Sequence, residues 1–319
     1  MSLEWKHLTK NDAGAWASLT SAIAEHDGAG YGMSPEIAAD ELSSELINFE
    51  DDSFAVWDGT QLVGWERVTA FERPRFDGVA QTLLSGGVHP NWRNRGIGTE
   101  LIQRAEARSR EILDSSHPDS PHVMHVDSGS GDGPSIPLLV DNGFVLVRKY
   151  QDMERKVTSP TDLPDLSELG QQIRVRAVRD DDLEEIRRAH NDAFRAHWGW
   201  WPTTHEEWAD EFSSITFRPQ FSRIAVNPDG RVLSYALVNE LNPGHPYIEF
   251  VGARAETRGM GLGRAAISEV IRNAAINPDI ETLYLDVDAD NPSKAGNLYT
   301  DLGFHITRTW GAYEKNLGR

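Results

Sequence analysis

The sequence predicts an α/β protein of the α+β type, assembled from two tandem copies of one domain. Three observations carry this prediction. The phrase WRNRGIGTEL (92–101) returns as TRGMGLGRAA (257–266). A hairpin signal precedes each copy: SFAVWDGTQLVGWERVTAF (53–71) turns at Asp58-Gly59, and SRIAVNPDGRVLSYALVNEL (222–241) turns at Asp229-Gly230. Each copy also closes near a Gly-Phe pair, Gly143-Phe144 and Gly303-Phe304. From Gly59 to Gly230, Arg93 to Arg258 and Gly143 to Gly303 the spacing is 171, 165 and 160 positions, a slow drift that leaves room only for small insertions. A chain of 319 residues fits two domains of about 150 each.

Taken in order, each copy starts with a short strand, EWKHL or IRVRAV, followed by a helix over 12–23 or 181–194. The hairpin comes next, then a strand, TLLSGGV or IEFVGA, that runs into the glycine phrase. A helix follows, with Ile97, Leu101 and Ala105 in the first copy and Leu262, Ala266, Val270 and Ala274 in the second at intervals of four. The strands HVMHV and TLYLDV complete the match. The stretch VTSPTDLPDLSELG (157–170), with two prolines and few bases, reads as a linker. The domains are therefore expected at 1–157 and 172–319, separated by a linker at 158–171.

The net charge of −19 divides evenly, with 25 acids and 14 bases in 1–160 and 25 acids and 17 bases in 161–319. A surface of this sign repels nucleic acid and anionic lipid, so a polyanionic ligand must be held by local donors. No base lies between Lys10 and Arg67, while ten acids lie from Glu25 to Asp58; this reads as a solvated face or as a funnel for a cationic substrate. The absence of cysteine excludes disulfides, Cys-ligated zinc and an acyl-cysteine mechanism. With no apolar run of about 18 residues and no charged-then-apolar leader, a cytoplasmic protein without membrane or nucleic-acid partners is expected.

Each glycine phrase has the form Arg-x-x-Gly-x-Gly between a strand and a helix, where free N–H groups suit a pyrophosphate. Neither a P-loop nor a dinucleotide-binding fingerprint fits the frame. Downstream, DADNPSKAGNLYTDLGF (288–304) places Asn291, Ala295, Leu298-Tyr299 and Gly303-Phe304 in a pattern that, with Arg258-x-x-Gly261-x-Gly263, resembles the GNAT superfamily of acyl-CoA-dependent N-acyltransferases. The resemblance covers nearly the whole chain, and the tandem layout is similar to that of the mycothiol synthases. It implies two domains, each a mixed, mostly antiparallel sheet flanked by helices, with acetyl-CoA as cosubstrate and no metal. It also implies a CoA site at Val251, Ala253, Arg258, Gly259, Met260, Gly261, Leu262, Gly263 and Arg264, with Asn291 on pantetheine. The first copy offers Val88, Arg93, Asn94, Arg95, Gly96, Ile97, Gly98 and Thr99 as a second cradle. Tyr299 becomes the acid that protonates the departing thiolate, and a backbone N–H near Val251 the oxyanion donor.

Glu249 is the expected base, or else a structural carboxylate paired with an arginine. An ammonium near 10.4 giving its proton to a carboxylate near 4.3 is uphill by roughly 8 kcal/mol. Glu249 must therefore be desolvated, or work through water, or meet a weakly basic amine. A tyrosine near 10 protonating a thiolate near 8.5 is uphill by only about 2 kcal/mol. Aligning the copies on the glycine phrase puts Leu84 opposite Glu249 and Thr82 opposite Tyr247; aligning on Gly-Phe puts Leu139 at Tyr299 and Gly131 at Asn291. The first copy is thus expected to be degenerate and the second catalytic.

The Trp-rich loop AFRAHWGWWPTTHEEW (193–208) is either acceptor wall or packing. His197, His205 and His245 read as surface or capping residues, and His117, His122 and His125 only weakly as a zinc site. Direct transfer of an acetyl group to the amine of a small molecule or peptide is the main reading. Its alternatives are the mycothiol synthase reaction, with a cysteinyl pseudodisaccharide acceptor, and a non-catalytic acyl-CoA sensor. The sequence leaves the oligomeric state open; a monomer is compatible with it, because a tandem repeat supplies within one chain what a dimer would.

Overall fold

The computed structural model describes residues 3–28, 32–128, 133–158, 163–164, 172–291 and 295–318. In chain order the elements are β1 (Glu4–Lys6), α1 (Ala13–Asp27), α2 (Pro35–Glu41), α3 (Phe49–Asp52), β2 (Ser53–Asp58), β3 (Gln61–Ala70), β4 (Ala80–Val88), α4 (Ile97–Ser116), β5 (His122–Ser128), α5 (Ile136–Asp141) and β6 (Val145–Lys156). The second repeat supplies β7 (Arg174–Ala177), α6 (Leu183–Ala193), α7 (His205–Ser213), β8 (Arg223–Val226), β9 (Val232–Asn239), β10 (Tyr247–Ala253), α8 (Leu262–Ala275), β11 (Thr282–Asp288), α9 (Ala295–Asp301) and β12 (His305–Gly318). Both repeats have an α+β fold: a mixed, mostly antiparallel sheet with helices packed on it.

The chain divides into two units, Met1–Lys149 with Thr309–Arg319, and Tyr150–Arg308. This differs from the boundaries expected at 157 and 172, because each unit takes an edge segment from the other end of a repeat. In the first unit the strand order is β1-β2-β3-β4-β5-β12, and β12 pairs antiparallel with β5, Glu314 opposite His125. In the second unit the order β6-β11-β10-β9-β8-β7 places Tyr150–Lys156 antiparallel to β11. A turn-rich linker is legible in a sequence, whereas exchange of end strands needs long-range pairing that no local pattern reports. Most of the expected linker lies outside the described residues; Leu163 packs on the second unit's core and the Pro164 carbonyl accepts from Arg272.

Periodicity explains where the helices lie. On α4, Ile97, Leu101, Ile102, Ala105 and Leu113 are buried, and on α8 the buried set includes Leu262, Ala266, Val270 and Ala274. In the first unit one core gathers α4 and α5 with Val68, Leu84, Met124 and Phe144, and another gathers α1 and α2 with Ala55 and Trp65. The second unit repeats this, with Ile248, Leu285, Tyr299 and Phe304 beside α8 and Tyr235 and Leu237 beside α6 and α7.

The feature that shapes the site is a parting of strands. β4 and β5 are parallel from Ala80 opposite His122 to Leu84 opposite Val126, after which both continue unpaired with each other. β10 and β11 pair only at Tyr247 opposite Tyr284 and Ile248 opposite Leu285. In the second unit alone, the β9–β10 ladder skips a residue between Ile248 and Phe250. Glu249 is therefore a β-bulge, whereas β3 and β4 stay in continuous register. This corrects the residue-for-residue alignment: by strand pairing Leu84 corresponds to Ile248, and Glu249 is an extra residue without a counterpart in the first copy.

β12 supplies Tyr313 and Leu317 to the first unit's core, and its Glu314 and Lys315 pair with Arg75 and Glu106. Deleting residues 309–319 should destabilise that unit by more than about 4 kcal/mol. Amide exchange along β5 would then become fast while β8–β9 stays protected; protected β5 amides in the truncated chain would contradict this account.

Candidate active site

The two glycine loops fold alike. Gly96 (φ 81°) and Gly261 (φ 77°) are the left-handed N-caps of α4 and α8. Two residues earlier Asn94 (φ 60°) matches Gly259 (φ 79°), a substitution tolerated because asparagine enters the left-handed region more readily than other non-glycine residues. A Cβ built on Gly96, Gly259 or Gly261 meets no atom within 4 Å, so the backbone faces open space. The first-turn N–H groups of each helix point the same way, as an anion cradle requires. Gly98 and Gly263 differ: a Cβ at Gly98 would lie 2.7 Å from Leu138, whereas at Gly263 the nearest atom, in Ser234, is 3.9 Å away. Ile97 and Leu262 turn their side chains into cores, leaving only their backbones for a ligand.

The arginines that open the phrases have partners within the protein. Arg93 donates to both carboxylate oxygens of Asp27 at 2.7 and 2.8 Å and to the Val88 carbonyl at 3.1 Å. Arg258 donates to the Ala193 carbonyl at 2.7 Å. Asp27 and Ala193 each end the first helix of their repeat, where a cation is favoured. Both guanidinium groups thus tie the loop to that helix. Arg95 donates to the Asn91 carbonyl and Arg264 pairs with Asp301, while Met260 stands exposed at the loop tip. Thr99 lies half-buried on the first turn of α4, and Val88 and Ala253 end β4 and β10.

Beyond the strand parting, the second unit assembles ionisable groups. The Tyr247 hydroxyl donates to the Asp286 carboxylate across the β10–β11 pair. The bulge leaves Glu249 reachable by solvent yet crowded by protein. Desolvation chiefly, then the carboxylates of Glu211 and Asp286, push its carboxyl up to about 8. The charges acting on Glu249 are thus acids and not an arginine. Tyr299 lies buried on α9 with its ring edge-on to Phe304, and its hydroxyl is raised above the usual tyrosine range, first by burial and then by Asp286. Asn291 follows β11, its N–H bonded to the Asp288 carbonyl at 3.2 Å. Val251 leans on the α8 core.

The Trp-rich loop closes over this face. His190, Phe194, Trp200 and Trp208 surround Phe250, the residue after the bulge, with ring centroids 5.0 to 6.3 Å from it. The lateral histidines have local partners: His205 with Glu184, His197 with the Trp198 carbonyl, His245 with Tyr284. In the first unit His122 bonds the His117 carbonyl and His125 meets Asp127. Among the described residues no cluster of His, Cys, Asp or Glu could hold a metal, and no helix is long and apolar enough to cross a membrane. The acid-only stretch is partly neutralised from outside, Asp27 by Arg93, Glu41 by Arg67 and Asp52 by Arg108.

In the first unit Leu139 is buried on α5 in the place of Tyr299, and Gly131 lies outside the described residues. The sequence pattern of the acetyltransferase (GNAT) family matches residues 17–117 and 183–304, once per repeat. The chain belongs to the GNAT family. It carries that family's acetyl-CoA-dependent transfer of an acyl group to an amine, on a fold with an acyl-CoA pocket. The chain is 27% identical to a mycothiol acetyltransferase of Mycolicibacterium smegmatis over 99% of both chains, and 30% identical to one of an Arthrobacter species over 70% of this chain and 66% of that one. In fold it is similar to a GCN5-related N-acetyltransferase from Sphaerobacter thermophilus (TM-score 0.77, 23% identity, covering 99% of this chain and 96% of that one). It is also similar to a tandem GNAT protein from the clavulanic acid biosynthesis pathway (TM-score 0.74, 18% identity, 100% and 99%).

Sequence reasoning missed Glu66, on β3 of the first unit. Its carboxyl is buried opposite Gly86, where a Cβ would lie 2.4 Å from its Oε2, and desolvation pushes it up to about 8. The pairing of Glu66 with Gly86 was the available signal, since a large acid opposite a glycine on a core strand needs that space. Because the folded carboxyl holds its proton up to about 8 and the unfolded one only to 4.5, stability contributed below pH 4.5 is lost as pH rises through 8. The slope is at most about 1.4 kcal/mol per pH unit. Glu66→Gln should flatten this dependence in melts between pH 5 and 8; an unchanged slope would place the carboxyl in water.

Proposed function

We propose that the chain catalyses the mycothiol acetyltransferase reaction, passing the acetyl group of acetyl-CoA directly to the amine of a cysteinyl pseudodisaccharide, with the chemistry confined to the second unit. The observation that carries this is the full-length likeness to a mycothiol acetyltransferase, 99% of both chains, joined to a repeat in which only the second copy has the bulged carboxylate and the buried tyrosine. The loop backbone from Arg258 to Arg264, aided by the first turn of α8, receives the pyrophosphate, and Asn291 and the free edge of β10 at Val251 and Ala253 receive pantetheine. In the first unit, Val88 and the Arg93–Thr99 backbone offer the same cradle without the chemistry. The reaction uses no metal, and its place is the cytoplasm.

Glu249 takes the ammonium proton of the acceptor. With its carboxyl at about 8, it takes the proton of a cysteinyl α-ammonium, ordinarily about 7.7–8.0, at almost no cost, whereas an ordinary carboxylate near 4.3 would do so uphill by about 5 kcal/mol. The Val251 N–H stabilises the developing oxyanion. Tyr299 protonates the leaving thiolate. Burial raises the tyrosine, and it raises the thiol in the same surroundings too, so the difference between donor and acceptor stays small.

The acids around Glu249 and the ring-lined wall favour a second reading, a more basic small-molecule amine, and one assay separates them. Purified protein with acetyl-CoA is offered the cysteinyl pseudodisaccharide beside a panel of amines, and thiol release is followed. Preference for the pseudodisaccharide supports the proposal; preference for a diamine transfers it to the second reading; no acetylation at all by protein that binds acetyl-CoA leaves a sensor. In the active protein Tyr299→Phe should lower kcat by about 10²–10⁴, whereas Leu139→Ala should leave turnover unchanged. Since Glu249 acts deprotonated, kcat/KM should rise with pH to a plateau above about 8. Glu249→Gln should lower the plateau and remove the part of the limb that the carboxylate owns, leaving that of the acceptor's own ammonium.

A further inference from the structure

The bulge at Glu249 has no ladder partner of its own, so its direction is set by its neighbours. Ile248 is buried on the α8 side. On the other side Phe250 sits in the ring box, and Gly252 lies opposite Tyr235 on β9. Tyr235 and His190 are both fully buried, and His190 Nδ1 lies 2.8 Å from the Tyr235 hydroxyl. A Cβ on Gly252 would be 2.2 Å from that hydroxyl, so the phenol rests directly on the open strand. The His190 ring packs 4.4 Å from Phe194, 4.8 Å from Trp208 and 5.0 Å from Phe250.

The histidine is neutral, because burial holds it far below its ordinary range, at about 3. Its Nε2 has no polar partner and is enclosed by rings, several of them edge-on. The polar contact of this ring is the one between Nδ1 and the Tyr235 hydroxyl. The first unit provides the contrast. Trp65 stands opposite Gly87 as Tyr235 stands opposite Gly252, but it packs edge-on against Trp16 at 4.9 Å, and that β3–β4 ladder has no bulge. The polar pair occurs in the copy that also has the bulged carboxylate.

We propose that His190 and Tyr235 are positioning residues: their hydrogen bond fixes Phe250 and Gly252 and so holds Glu249 where it meets the acceptor. The proposal rests on Glu249 being the base and goes beyond that assignment. Loss of the bond lets the strand relax and Glu249 turn toward solvent, away from Glu211 and Asp286, the acids that face it from α7 and β11, and from Tyr247 on its own strand.

The test is a carboxyl-carbon NMR titration of glutamate-labelled protein, the Glu249 signal being the one absent from Glu249→Gln. Tyr235→Phe should move that titration down from about 8 by about one pH unit or more, and kcat should fall on the order of 10- to 100-fold with acetyl-CoA KM within about twofold. His190→Asn, which keeps a polar atom facing the hydroxyl, should recover part of both effects, while His190→Phe should not. The proposal is overturned if Tyr235→Phe leaves the titration unmoved, whether or not kcat falls, since a merely structural role would behave so. Should wild type acetylate no amine, the proposed function fails, and the titration, which needs no acceptor, still decides the positioning.

Discussion

Backbone amide groups inside a folded domain must find partners, and the parting of β10 from β11 is where this protein leaves that demand open. After Ile248 and Leu285 the two strands diverge, so the β11-facing edge of β10 runs on from Glu249 to Ala253 without a ladder on that side. An edge buried within a sheet is costly in an ordinary domain and suited to a ligand that carries its own amides. The left-handed glycines that end the strand turn α8 so that its first-turn N–H groups lie at the end of the same edge. Neutral hydrogen bonding along the strand and an anion site at the helix are thus parts of one construction. This explains how a chain with net charge −19 can hold a polyanionic cosubstrate without a basic surface.

Duplication preserved that construction and let the chemistry diverge. Both units keep a parted strand pair, a left-handed loop and an arginine tied to the end of the first helix. What separates them is small: one extra residue in β10, one tyrosine on α9, and Tyr235 bonded to His190 where the register places Trp65, which packs on Trp16. The first unit instead buries Glu66 on β3, paired with Gly86 in the stretch of β4 that has parted from β5. A carboxyl raised there serves no step assigned to the second unit, and the alanine and valine that correspond to Glu66 and Gly86 by register, Ala236 and Val251, belong to or pack on the α8 core.

Much of this was legible in the residues. The repeat, the hairpins, the glycine loops and the periodic helices follow from short-range patterns, and so does the loss of Tyr299's counterpart at Leu139. Three things were not. The end-strand exchange depends on pairings between residues as far apart as His125 and Glu314. The bulge shifts register by one residue, and sequence spacing counts residues without knowing which of them is paired; hence Leu84 seemed to face Glu249 when it corresponds to Ile248. The arginines of the loops carry a motif, but a motif says nothing of where a guanidinium finds its acceptor, here Asp27 and the Ala193 carbonyl.

Placing a bulge next to a strand parting also resolves a conflict between two demands on Glu249. A base for an ammonium must be raised well above an ordinary carboxylate, which requires burial, while it must touch an acceptor that arrives from water, which requires exposure. A regular strand residue offers one or the other, because its side chain either enters the core or faces solvent. The extra residue projects Glu249 into the open part of the sheet, where Glu211, Asp286 and the surrounding protein raise it while its surface stays reachable. Rings packed around Phe250 then make the wall beside it rigid and poor in water. The reactivity of this position comes from a backbone irregularity of one residue, held by aromatic packing, more than from the identity of the acid alone.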